Sequence, residues 1–133
     1  MINELQEKIY IKKEIAIKHF NNYLSFYKEN NYIKSSEFLW GTVNDLFYAI
    51  GLTYNHKLLN YTKIKDFLPI LTQEYNYEEI IDQYNSAEIL HSNFYHDFLD
   101  KDNFNYNKNK VIKMIEKLSE ILDYRLNKLK QIK

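Results

Sequence analysis

Two glycines and one proline in 133 residues leave this chain almost nothing with which to turn a hairpin or end a strand. Apolar residues instead recur three and four positions apart nearly from end to end, the period of one helix face. The pattern predicts an all-α fold, a five-helix, mostly antiparallel up-and-down bundle with four long helices and one short one. With 45% hydrophobic positions the chain can fill one core and is too short for two, so residues 1–133 read as a single domain.

Start and stop signals place the elements. The first helix runs from about residue 2 to 29 and breaks at Asn30-Asn31, and the second spans about 32–53. Asp66 as N-cap would put Pro69 in the first turn of a short third helix ending near Tyr75, where a missing N–H costs nothing. Asn76 and Glu79 form a start signal resembling a capping box, so the fourth helix is expected from there to about Leu99. Asp102 to Asn109 reads as a polar loop before the fifth helix. The expected core comprises Phe20, Leu24, Leu39, Val43, Leu46, Phe47, Ile50, Ile80, Tyr84, Ala87, Phe94, Phe98, Val111, Ile115, Leu118 and Leu122.

Several function classes drop out. The chain has no cysteine, hence no disulfide framework, thiolate zinc site or Cys nucleophile. It contains no run of about 18 apolar residues and its first residues lack a signal-peptide h-region, so a soluble, cytoplasmic protein without a membrane partner is expected. Formal net charge is zero, yet residues 66–102 hold nine acids against one lysine and residues 103–133 eight basic residues against three acids. Such blocks are solvated faces or meet across a bundle or dimer; a basic last helix could also touch phosphate. Lys, Asn, Ile, Tyr and Phe, all specified by A/T-rich codons, dominate the composition, so a tyrosine in a suggestive place carries little weight by itself.

The chemistry-bearing stretch is "SAEILHSNFYHDFLD", residues 86–100, with two of the four histidines. His91 shares a helical stripe with Tyr84, Ala87, Phe94 and Phe98, whereas His96 lies about 140° round the helix beside Ser92, Asn93 and Asp100. Metal ligands on a helix want spacing i, i+4 on one face, and no HExxH pattern is present, so no metal or cofactor is expected. An imidazole on an apolar stripe needs a partner. His91 is therefore expected to be substantially buried and bonded to its own helix, where Glu88 and Tyr95 are in reach, or to the second helix. Glu37, Gly41, Asn44 and Tyr48 share a row there beside Trp40, the only tryptophan. Glu37, Trp40, Asn44, Glu88, His91 and Tyr95 are thus the candidate pocket residues, with His91 either a structural link or the floor of that pocket. Gly41, costing about 1 kcal/mol against Ala in mid-helix, implies close approach of another helix or space for a ligand.

"SSEFLWGTVNDLFYAI" in the second helix and "SAEILHSNFYHDFL" in the fourth together resemble the archaeal PaREP family of small helical proteins over roughly residues 14–125. The resemblance centres on Ser36, Trp40, Gly41, Leu90, His91, Asn93, Phe94 and Tyr95. It implies a HEPN-like bundle, a class whose members are often dimers and act as metal-independent ribonucleases, nucleotide-binding modules or partners of small nucleotidyltransferases. The ribonuclease members carry an Arg followed after four to six residues by a His. Here the only arginine, Arg125, lies downstream of every histidine, and His19 has only Lys12 and Lys13 at comparable offsets. Lysine lacks the planar fork that clamps phosphate.

The resulting expectation is a non-catalytic HEPN-like homodimer serving as a protein-interaction or regulatory module. Tyr10, Phe26, Tyr48, Tyr95 and Tyr124, which lie off the main stripes, would be covered in the dimer. The alternative is a nucleotide- or RNA-binding module, or a ribonuclease of toxin–antitoxin type, with His91 and His96 as acid and base and a lysine or Arg125 supplying charge.

Overall fold

A computed structural model describes residues 3–131. Five helices follow one another: α1 (Glu4–Lys28), α2 (Tyr32–Thr53), α3 (Tyr61–Tyr75), α4 (Ile80–His96) and α5 (Lys101–Gln131). No strand occurs among the described residues, and the fold is an all-α bundle.

Residue pairs across the interfaces give the helix directions. Tyr23 and Ser35, then Lys12 and Asp45, match α1 to α2 in antiparallel sense. Asn93–Ser36 with Phe47–Tyr84 does the same for α2 and α4, and Asp82–Lys110, with Tyr77 just ahead of α4 against Lys117, for α4 and α5. Tyr27–Asn105 and Lys13–Asp123 set α5 antiparallel to α1. The four long helices therefore alternate up and down, and α2 and α5, which run parallel, meet across the middle. Leu39, Val43, Phe47 and Ile50 from α2, Tyr84, Ala87 and Leu90 from α4, and Val111, Met114 and Leu118 from α5 form the dry centre.

Local chemistry starts α1 as expected of a good helix: Asn3 accepts from Gln6 N at 2.8 Å, and the Gln6 side chain reciprocates in a capping box. The second helix begins and ends where its sequence predicts, with the Asn31 side chain accepting from Lys34 N. Four boundaries differ. α3 starts five residues before Asp66, because Asn60 in extended conformation caps it by accepting from Lys63 N at 3.0 Å. Pro69 thus lies inside the helix, on its exposed side, where the Lys65 carbonyl that loses its donor can meet water. Asn76 is left-handed (φ 53°) and closes α3 rather than opening α4, which begins at Ile80 with no side-chain cap from Glu79. α4 stops at His96 because Asp97 adopts φ 45°, and the polar stretch Asp102–Asn109 is already helical. Asp100 makes that early start possible by accepting from Asn103 N at 2.7 Å, and Phe104 and Asn107 turn inward from the first two turns.

Twelve of the sixteen expected core residues are buried; Phe20 and Phe94 are half-buried, and Leu24 and Phe98 are exposed. Phe98 is outside the core because its helix ends before it, and Leu24 because none of the described residues fully covers that side of α1.

Candidate functional site

Helix α2 carries carboxylates toward both neighbours, and each meets a histidine. His91 Nδ1 on α4 lies 2.8 Å from Glu37 Oε1, and His19 Nδ1 on α1 lies 2.5 Å from Asp45 Oδ2. Carboxylate oxygens only accept, so Nδ1–H donates in both pairs and Nε2 is left as the second functional nitrogen of each ring.

The His91 pair sits in an aromatic stack. Trp40 lies almost parallel to the imidazole, centroids 4.6 Å apart, and Tyr95 meets it edge-on at 5.2 Å. Tyr84 stands behind Trp40 at 5.6 Å, wholly buried, its phenol pushed above the usual tyrosine range by burial and then by Glu88. The His91 side chain is nevertheless 34% exposed, short of the deep burial its stripe implies. Its helix buries a face centred on Ala87 and Leu90, from which His91 is about 70° round.

The Asp45 pair was not legible in the sequence. Asp45 is 12% exposed, and burial raises its pKa against the opposing pull of His19 and Lys12, whose Nζ is 3.8 Å from Oδ1. The His19 ring packs on Gly41: a Cβ there would stand 3.2 Å from Nδ1. Close approach of another helix is thus what Gly41 serves. Row periodicity within α2 could flag Asp45 as inward-facing, but only the crossing of α1 and α2 reveals its partners.

A cavity of about 380 Å³ touches one member of each pair, Asp45 and His91. Lys12, Trp40, Asn44, Asp45, Tyr48 and His91 line it, and Leu58, Leu59 and the start of α3 form the opposite wall. Glu37, Trp40, His91 and Tyr95 therefore come together as their spacing suggests, and Asn44 lines the same cavity while its amide donates to Trp40 O at 2.8 Å. Glu88 turns instead to Lys65 on α3, 3.1 Å away. His96 ends α4 exposed to solvent and is not part of this site. No cluster of three or more His, Asp or Glu that could hold a metal ion occurs among the described residues.

Asn93, expected on the water side beside His96, is buried. Its amide donates to Ser36 Oγ at 3.2 Å, and its Oδ1 accepts from Phe98 N and Leu99 N, both at 2.9 Å. Arg125 belongs to the far end of α2. It donates to Thr53 Oγ1 at 2.6 Å and to Thr53 O, Glu74 and Tyr75, and stacks 3.3 Å above the Tyr54 ring.

Ser36, Trp40, Gly41, Leu90, His91 and Asn93 thus hold one joint between α1, α2 and α4, and the arrangement can be compared with known families. A model of the archaeal PaREP1/PaREP8 family matches residues 11–115. The chain belongs to the archaeal PaREP1/PaREP8 family. This PaREP protein has no match among curated proteins and none among solved structures. The family match takes in Lys12, His19, Glu37, Asp45 and His91 and stops short of Arg125. No described helix of the PaREP chain is long and apolar enough to cross a membrane.

Proposed function

We propose that this PaREP chain is a non-catalytic, HEPN-like bundle that works as a homodimer and serves as a protein-interaction or regulatory module. The observation that carries this reading is a partly exposed apolar seam between α1 and α5. On α1, Tyr10, Lys13, Ile17, Phe20, Leu24 and Tyr27 follow a heptad spacing, and Ile17 and Leu24 are 46% and 39% exposed. Ile112, Ile115, Ser119, Leu122 and Leu126 repeat the spacing on α5, where Ile115, Leu122 and Leu126 are already buried within the chain and Ile112 and Ser119 are half-buried. The two rows flank an apolar groove of about 190 Å³ floored by Thr42 and Leu46, with Lys13–Asp123 bridging one end. Two antiparallel heptad rows with a groove between them suit packing against a second such pair.

The non-catalytic part rests on charge placement. Transition-state stabilisation of a phosphorane needs a free cation beside the acid and base. Arg125 is instead engaged with Thr53, Glu74, Tyr75 and Tyr54, and Lys12, the cation that lines the cavity with His91, is ion-paired with Asp45 at 3.8 Å while His91 itself faces Glu37.

Light scattering tests the dimer: twice the 16.3 kDa chain mass is expected at micromolar concentration, falling to the monomer in Ile17→Glu with helicity unchanged. A monomeric wild type would reject the dimer. RNA cleavage by the purified protein that disappears in His91→Ala would reject the non-catalytic reading.

A further inference from the structure

The charges that border the α1–α5 seam are laid out symmetrically along each helix. On α1, Glu14 precedes the exposed Ile17 by three residues and Lys28 follows the exposed Leu24 by four, so a carboxylate and an ammonium border the apolar row at its two ends. On α5, Lys108 and Glu116 stand four residues before and four after Ile112, on the same side of the helix. Among the described residues none of these four is in an ion pair, and Lys108 stands 4.8 Å over the Tyr27 ring.

Each set of opposite charges is centred on one residue. Asn21 is seven residues from both Glu14 and Lys28, as Ile112 is four from both Lys108 and Glu116. The two centres also share a height on the seam. The contacts Lys13–Asp123 and Tyr27–Asn105 bracket it, and Asn21 and Ile112 each fall a little more than half-way from the first contact to the second. We propose that a second copy of this chain docks on the seam about a two-fold axis that runs across the helices at the level of Asn21 and Ile112. α1 then lies antiparallel on the partner's α1, and α5 on the partner's α5. Glu14 meets the partner's Lys28, Lys108 meets the partner's Glu116, and Ile17 packs beside the partner's Leu24. Asn21 meets its own copy, and an amide, which both donates and accepts, pairs with its symmetry mate. A two-fold axis along the helices would instead set α1 on the partner's α5 at equal height and bring Glu14 to the partner's Asp123, like charge against like. Exposed ion pairs add little affinity, so their effect is to choose between two ways of covering the same apolar rows. The arrangement rests on the homodimer reading and adds to it which helix meets which.

The chain has no cysteine, so single cysteines report the packing directly. Asn21→Cys, at an exposed position, is expected to link to its own copy with a short bis-maleimide and to run at twice the chain mass in denaturing gels. Asn22→Cys, exposed but 100° further round the helix and away from the seam, is not. Glu14→Lys and Lys28→Glu should each raise the dimer Kd about ten-fold at low salt, because two repulsive contacts replace two attractive ones, and the double variant should return to within about two-fold of wild type. Analytical ultracentrifugation reads the Kd, circular dichroism checks the fold, and Lys108→Glu with Glu116→Lys repeats the test on α5 if an α1 variant misfolds. A monomeric wild-type chain would overturn the arrangement together with the homodimer reading. A wild-type dimer in which Asn21→Cys links to Ile112→Cys chains and not to itself, or in which the double charge reversal binds as weakly as either single variant, would overturn the arrangement and leave the homodimer reading standing.

Discussion

The imidazole of His19 lies flat enough on Gly41 that a methyl group there would come to 3.2 Å from Nδ1, the atom that bonds Asp45. Gly41→Ala should therefore gain about 1 kcal/mol of helix propensity and lose a similar amount by pushing the ring off Asp45. A net change within about 1 kcal/mol is expected. In a His19→Ala background the same substitution should be stabilising by about 1 kcal/mol, because the obstacle is gone. A double-mutant cycle on urea midpoints decides it; additivity would remove the coupling between these two residues.

Asn93 should be the most sensitive polar position. Asn93→Leu leaves the N–H groups of Phe98 and Leu99 without their acceptor and Ser36 Oγ with only its bond to Tyr32 O, and a loss of about 2–4 kcal/mol is expected from partners left unsatisfied. Equilibrium denaturation measures it. A loss below about 0.5 kcal/mol would mean that the α4–α5 turn does not need this bracket.

His91→Phe tests how structural the His91–Glu37 pair is. Both side chains are about a third exposed, so Glu37 can rehydrate when its partner goes, and a loss of no more than about 1 kcal/mol follows. A loss of 3 kcal/mol or more, of the size found for broken buried pairs, would show the pair to be a principal tie between α2 and α4.

Arg125→Lys retains the charge and discards the fork. The guanidinium reaches both Thr53 oxygens, Glu74 and Tyr75 while covering Tyr54, which a single ammonium cannot do. About 2 kcal/mol should be lost, with faster hydrogen exchange at the end of α2 and in α3. Unchanged exchange there would assign the α3 attachment to Leu58, Phe67 and Leu71 alone.

Asp45 gives a pH signature. Its pKa is raised in the folded protein, burial being the larger cause, so the folded state holds the Asp45 proton to higher pH than the unfolded chain does. The associated stability is present below the unfolded carboxyl value near 3.8 and declines as pH rises through the folded value. Asp45→Asn, which keeps an acceptor for His19, should equal or exceed wild-type Tm at neutral pH, with the difference shrinking as pH falls. A variant markedly less stable than wild type at neutral pH would show that the His19 and Lys12 attractions outweigh desolvation.

The amino-acid sequence by itself determined the helices and most of the core. Near-absence of Gly and Pro, together with three- and four-residue spacing, is a local property, and α2 begins and ends where its residues say. Periodicity also sufficed to bring Glu37, Trp40, His91 and Tyr95 together, because each faces off its own helix at a fixed angle. Tertiary structure decided what depends on two helices at once. Asn76 looked like a start and became a stop because α3 already had Asn60 as its cap and needed a left-handed residue at its end. Asn93 looked solvated and is buried because α4 rotates Leu90, rather than His91, to the centre of its packed face. Lys12, His19 and Asp45 are separated by up to 33 positions in sequence, and only the antiparallel crossing of α1 over α2 places a lysine and an imidazole on one half-dry carboxylate. Spacing within a helix fixes direction; distance between helices is set by how their side chains pack, and no single helix carries that information.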